Sequence, residues 1–229
     1  MFAHAQQPHP ALTITPLAGN LYVYTTWGKT GGEPYPANGL YLVTDEGVVL
    51  IDSPWDTTQF QPLVDSIRAR HHRPVVLCIA THWHSDRTAG LEYYRKKGIK
   101  TYTSRQTDAC SRVNGKPRAE FLFDTDTVFH VGGYAIQTFY PGEAHTRDNI
   151  VVWFGKDRVL YGGCLVKSTE STDLGYTDDG NVGAYAETIR RVQAKFPNVA
   201  YVIPGHMDWK DPKSLQHTLE MAQQAGGKK

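Results

Sequence analysis

The 229-residue chain carries 24 lysines and arginines against 23 acidic residues, a formal charge of +1, with ordinary apolar (40%) and charged (21%) fractions. That length suits one large domain or two intimate halves with a substantial core, and near-neutral charge argues against nucleic acid or an anionic membrane as partner. No run approaches the roughly 20 apolar residues a membrane helix needs, and the three cysteines make no disulfide framework.

At the N-terminus, Ala3-His4-Ala5 before Gln6-Gln7 looks like the small-x-small end of a secretory signal whose charged and apolar parts are missing. A cloning remnant would read the same way. Residues 1–11 are expected as a disordered leader, and 12–229 as one domain of two α/β halves, about 12–115 and 116–229. Leu12 to Pro16, Leu21 to Thr26, Gly39 to Thr44 and Val48 to Asp52 read as strands, with a hairpin turn at Asp45-Glu46-Gly47. Trp27 to Pro36 reads as a flexible glycine-rich hairpin loop. Phe60, Leu63, Val64 and Ile67 recur at helical spacing, so Thr57 to Arg70 is an amphipathic helix. Strand Val75 to Thr81 follows, then a helix from Asp86 to Lys97 closed by Gly98, strand Ile99 to Thr103 and a helix over Gln106 to Val113. Cys78 is mid-strand packing, and Cys110 is a helix residue without chemistry.

The second half repeats the plan. Thr127 to Val131, Ala135 to Tyr140, Ile150 to Phe154 and Val159 to Gly162 are strands, with a turn at Gly155-Lys156-Asp157. A helix with Tyr185, Ile189, Val192 and Phe196 inward, strand Ala200 to Ile203 and a helix presenting Leu215, Leu219 and Ala222 complete the chain. This order points to an α/β fold of two sheets packed face to face with helices outside.

The stretch Thr81-His82-Trp83-His84-Ser85-Asp86 follows a buried strand, delivering two imidazoles and a carboxylate where it turns into a helix. Zinc takes such ligands readily. Ordinary loop histidines and a helix-capping aspartate are the plain alternative, but three more donors stand in matching places. His145 follows Ile136 to Tyr140, Cys164 follows Val159 to Gly163, and His206 follows Tyr201 to Gly205. Strand ends and the loops after them are where α/β sites are built. Six ligands exceed one tetrahedral zinc and divide into His82, His84, His145 and Asp86, Cys164, His206, each set leaving a position open as catalytic sites do. A hydroxide shared by two zinc ions would be a strong nucleophile near neutral pH, with the metal polarising a carbonyl, so acyl hydrolysis is indicated.

This ligand set resembles the metallo-β-lactamase superfamily, and within it the first subclass of the class B β-lactamases, over Leu21 to Ala222. Cys164 as ligand and Arg87 directly after Asp86 carry the distinction from glyoxalase-type relatives, and His82 that from the single-zinc subclass. The resemblance implies a four-layer αβ/βα sandwich and zinc-dependent opening of penicillins, cephalosporins and carbapenems, with monobactams poor. It implies two zinc ions per chain, a monomer, and a periplasmic enzyme conferring antibiotic resistance, with no nucleic acid or membrane partner. Asp86 would orient the hydroxide, Lys167 would hold the lactam carboxylate, and Asn181 would help hold the carbonyl oxygen. Asp52 and Arg87 would support the ligands, and Trp27 or Tyr35, as lid, and Trp55, as wall, would contact substrate. Plainer readings stand beside these: a solvated surface lysine, a helix N-cap for Asn181, ordinary packing for the tryptophans. A thioester or lactone hydrolase of the same superfamily and a non-catalytic zinc-binding module are the alternatives; Arg87 and Cys164 oppose the first, the open coordination positions the second.

Overall fold

The computed structural model describes residues 12–124 and 126–227, so the expected leader over 1–11 lies outside the described residues. Strands β1 (Thr13–Ala18), β2 (Leu21–Thr30), β3 (Glu33–Thr44) and β4 (Gly47–Ile51) pair antiparallel in chain order. The same sheet continues in parallel through β5 (Val75–Ile79), β6 (Lys100–Ser104) and β7 (Phe121–Phe123). A second sheet runs β12 (Tyr201–Pro204), β11 (Val159–Gly163), β10 (Val151–Phe154), β9 (Tyr134–Phe139), β8 (Val128–Val131), with β11 and β12 parallel and the rest antiparallel. Parallel neighbours need a crossover. Helix α1 (Phe60–His71) supplies it between β4 and β5, and α5 (Val182–Lys195) between β11 and β12.

Side chains alternate faces along a strand, and here both faces are covered. Leu21, Val23, Leu40, Leu42, Val49 and Ile51 meet Ile136, Val152, Phe154 and Tyr161 between the sheets. On the other face Tyr24, Tyr41, Val48 and Leu50 pack on Phe60, Leu63 and Ile67 of α1. Val151, Leu160 and Val202 pack outward on Tyr185, Ile189 and Val192 of α5 and on Leu215, Leu219 and Ala222 of α6 (Ser214–Gly226). The result is the helix–sheet–sheet–helix sandwich that the strand order implied.

Four local expectations change. The helix expected over Asp86 to Lys97 is two, α2 (Ser85–Thr88) and α3 (Leu91–Lys96). Gly90 between them lies against β4's exit: its N–H donates to Ser53 Oγ at 2.9 Å, and a Cβ there would sit 2.8 Å from Ser53 Cβ. That contact bends the chain more strongly than its helical period straightens it. The three-residue β7 was not expected, being too short to show alternation; it adds a parallel edge strand beside β6. The loop expected over Trp27 to Pro36 is instead a paired arm, because β2 and β3 stay in register out to Thr30 opposite Glu33. Its two-residue turn is Gly31-Gly32 with φ of +61° and +90°, a conformation open to glycine. Finally, α4 (Arg105–Val113) starts one residue early, with Ser104 Oγ accepting from Thr107 N–H at 3.0 Å.

Candidate metal centre

The chain leaves β5 at Ile79 and reaches α2 through Ala80 to His84. Asp52, at the exit of the neighbouring β4, holds that segment: its carboxylate accepts from Thr81 N–H at 2.7 Å, Thr81 Oγ1 at 3.0 Å and Tyr161 Oη at 2.7 Å. Asp52 has φ +65° and is fully buried. Burial pushes its carboxyl up to about 6, against the pull of Arg87, Tyr161 and Thr81. Arg87, in the one-turn α2, lies 3.5 Å from Asp52 and 3.0 Å from Asp86. Burial alone would raise the Asp86 carboxyl, but Arg87 first, then His206 and His82, hold it well below the carboxylate range.

His82, His84 and His145 present three rings with centroids 4.9, 4.9 and 5.0 Å apart, mutually edge to face. His82 Nε2 and both ring nitrogens of His145 are buried without a hydrogen-bond partner. Each such orphan costs about 1–3 kcal/mol unless something binds it. Burial, with His84 beside His82 and Lys167 beside His145, holds both rings well below the usual imidazole range, so their lone pairs are free. His82 Nδ1 lies 3.4 Å from Thr81 Oγ1, which leaves Nε2 bare. His84 Nε2 lies 3.0 Å from Asp179 Oδ2, which leaves Nδ1 as the donor.

Asp86 Oδ2, Cys164 Sγ and His206 Nε2 form a triangle with sides of 3.3, 3.2 and 3.1 Å. Donors around a tetrahedral zinc at its usual bond lengths stand about 3.3–3.7 Å apart, so these atoms already approximate one face of such a polyhedron. His206 Nδ1 faces the Pro36 carbonyl at 2.8 Å and carries its proton there, so Nε2 is a lone pair, which accepts from Arg87 Nη2 at 3.2 Å. Burial pushes the Cys164 thiol up while Arg87 opposes it, and Arg87 Nη2 donates to Sγ at 3.0 Å. His82 also closes triads with His145 and Cys164 and with His84 and Asp86, ligand atoms lying within 4.8 Å. The six donors thus form one continuous cluster, and its orphaned nitrogens and bare lone pairs fit zinc.

Two residues that sequence reasoning passed over assemble it. Asn38 of β3 donates from Nδ2 to Pro204 O at 3.1 Å and Met207 O at 2.9 Å, stitching the first sheet to the end of β12. Its carbonyl accepts from Arg87 Nη1 at 2.7 Å. Asp179, which orients His84, lies 95 residues away from it. Neither has a spacing signal that sequence could carry. Gly205 is needed for close approach: a Cβ there would meet Cys164 N at 2.7 Å and Arg87 Nη2 at 2.8 Å.

A cleft of about 580 Å³ opens on this cluster, lined by His84, Asp86, His145 and His206 together with Trp55, Tyr35, Trp83 and Tyr176. Tyr35 and Trp55 stand over His206, with ring centroids 5.0 and 6.3 Å away. Lys167 lines the cleft and an annex of about 240 Å³ beside it. Burial lowers its ammonium to about 8. Two residues expected at the substrate lie outside the cleft lining. Trp27 sits opposite Pro36 on the arm, whereas Tyr35 sits opposite Gly28 one position over; alternation therefore turns Trp27 to the other face, where it lines a separate depression with Pro36 and Trp209. Asn181 is exposed and outside the cleft lining: its Oδ1 caps α5 by accepting from Ala184 N–H at 3.1 Å, and its Nδ2 donates to Glu143 at 3.0 Å. The unpaired N–H groups of the helix's first turn claim that side chain.

Comparison with known proteins agrees with this geometry. The family model described as the metallo-beta-lactamase superfamily matches residues 32–206. A metallo-beta-lactamase type 2 of Elizabethkingia meningoseptica is 47% identical over 215 residues, covering 94% of this chain and 86% of the relative. Metallo-beta-lactamase IND-1 of Chryseobacterium indologenes is 45% identical over 206 residues, covering 90% and 86%. The crystal structure of metallo-beta-lactamase IND-7 superposes with a TM-score of 0.89 at 44% identity, covering 93% of this chain and 98% of that one.

Proposed function

The chain belongs to the metallo-beta-lactamase superfamily, and from that membership and the six-donor cluster we propose that it hydrolyses the amide bond of β-lactam antibiotics with two zinc ions. The observation that carries this reading is the set of bare, buried nitrogens on His82 and His145 beside the Asp86–Cys164–His206 triangle, a cluster that opens on one cleft through His84, Asp86, His145 and His206. One ion is assigned to His82, His84 and His145, the other to Asp86, Cys164 and His206. Bound there, zinc supplies Lewis acidity and a water acidified toward a pKa of about 7.

The chain's own groups do the rest. Asp86, kept ionised by Arg87, offers a carboxylate oxygen to the proton of the attacking water. Asp179 and the Pro36 carbonyl fix the tautomers of His84 and His206. Lys167 holds the carboxylate next to the lactam nitrogen and so positions the carbonyl. Tyr35 and Trp55 cover the bound ring and exclude bulk water. Penicillins, cephalosporins and carbapenems share that carboxylate and are the substrates; monobactams, which lack the fused ring and carry a sulfonate, are poor ones. The enzyme acts as a monomer in the periplasm and confers resistance.

Purified protein should open benzylpenicillin and a carbapenem, lose activity to a chelator, regain it with zinc, and hold close to two zinc ions after dialysis in micromolar zinc. Absence of lactam opening by the zinc-loaded protein, with a thioester or lactone hydrolysed instead, would move it to another branch of the superfamily.

A further inference from the structure

We propose that the cleft contains a second anion subsite, built on Lys116 with Lys29 of the arm lining the same cleft, which favours β-lactams bearing a carboxylate on the acyl side chain. The inference rests on the β-lactam reading above. Both lysines line the cleft that holds the metal donors, and among the described residues neither is in an ion pair. Lys116 is half-buried and its backbone is held. Gly115 turns at φ +61°, and Lys116 N–H donates to Ser111 O at 2.8 Å, closing the end of α4. Asp179, on the same wall, is already taken by His84 Nε2 at 3.0 Å and by the Tyr176 phenol. An ammonium that lines the cleft without a counter-charge offers a charge-assisted hydrogen bond to an anion brought by the substrate.

The position of this charge matches the shape of the substrate. A bicyclic β-lactam carries its carboxylate beside the lactam nitrogen and its acylamino group on the opposite side of the four-membered ring. Lys167 stands at the end of the cleft shared with the annex, together with Tyr35 and His206. Trp83 and Asp179 mark the other end, where the cleft runs on into a groove of about 390 Å³ beside the C-terminus of α4. With the lactam carboxylate at Lys167, the acyl side chain is directed toward that α4 end, which carries Lys116. Lys29 and Thr30, at the tip of the arm, line the cleft as well.

Benzylpenicillin and α-carboxybenzylpenicillin differ by one carboxylate in the acyl group, so the ratio of their kcat/KM values on the zinc-loaded enzyme reads the subsite. Lys116→Ala should lower the ratio (carboxylated over parent) about fivefold, the size of one screened ion pair. Lys116→Glu should lower it further, Lys116→Arg should restore it, and added salt should lower it in the unaltered enzyme. Lys167→Ala, by contrast, should weaken both substrates together. A ratio within twofold of the unaltered enzyme in both Lys116→Ala and Lys116→Glu would overturn the subsite while leaving the β-lactam reading standing. Hydrolysis of neither penicillin would overturn both.

Discussion

At the scale of single residues, Arg87 organises the centre. It is 1% exposed, yet its guanidinium reaches Asn38 O, Gly205 O, Tyr161 Oη and Cys164 Sγ at 2.7–3.0 Å, with the Asp86 carboxylate at 3.0 Å. A buried cation persists because it is paired and hydrogen-bonded, and here its partners include all three residues of the metal triangle, His206 Nε2 lying 3.2 Å from Nη2. As a zinc ligand Cys164 would serve as a thiolate, so Cys164→Ser should weaken zinc at that triangle selectively, a hydroxyl being a far poorer ligand. Titrating metal-free variant with zinc should show one site retained and the other weakened at least tenfold; two unaltered sites would make Cys164 packing alone. Lys167 gives a pH signature. Burial lowers its ammonium to about 8, so it is charged below that pH and loses its charge as pH rises through it, while the substrate carboxylate stays ionised. KM for benzylpenicillin should therefore climb above pH 8, and Lys167→Arg, which stays charged, should flatten that climb. A KM independent of pH from 7 to 9.5 in the unaltered enzyme would remove this role.

Elements decide which side chains reach the cleft. The register of β2 with β3 turns Tyr35 inward and Trp27 outward, and Gly28 leaves room for the Trp55 indole, since a Cβ there would lie 2.3 Å from Trp55 Cε3. Replacing Lys29 to Pro34 with a short glycine turn removes the tip of the cover. Loss of about 50 Å² of apolar contact at roughly 25 cal/mol per Å² is about 1 kcal/mol, or fivefold in KM. Zinc content should not change; if KM is unmoved as well, the arm does not touch substrate. Helix α5 settles Asn181 in the same way. Asn181→Ala should cost about 1 kcal/mol as a lost cap and lower the melting temperature by about 2–4 °C, with kcat within twofold. A tenfold loss of kcat at an unmoved melting temperature would return Asn181 to the chemistry.

Over the whole molecule, the two sheets meet where their loops deliver the donors, and metal binding is coupled to stability. At zinc a thousandfold above its dissociation constant, binding contributes about 4 kcal/mol per site, or about 8 kcal/mol for two, which for a chain of this size is roughly 16–32 °C in melting temperature. Thermal unfolding with and without chelator should show a shift of that order. An unchanged midpoint would mean that zinc gains nothing from the orphaned nitrogens of His82 and His145.

Much of this molecule is legible along the chain because its signals are local. Alternating apolar strands, the helical spacing of Phe60 to Ile67, and donors placed just past four strand ends are each contained in a few residues. These led to the two-sheet plan and to His82, His84, Asp86, His145, Cys164 and His206, and the structure brings those six together. Tertiary structure decided what depends on two distant segments at once. Gly90 against Ser53 broke a helix that its period would have continued, the pairing of β2 with β3 turned Trp27 away, and the first turn of α5 claimed Asn181. Asp179 and Asn38 reached the site from segments with no motif of their own. In each case a hydrogen bond or a close contact between chain segments outweighed a local preference of a few tenths to about 1 kcal/mol, and no stretch of sequence read alone contains that contact.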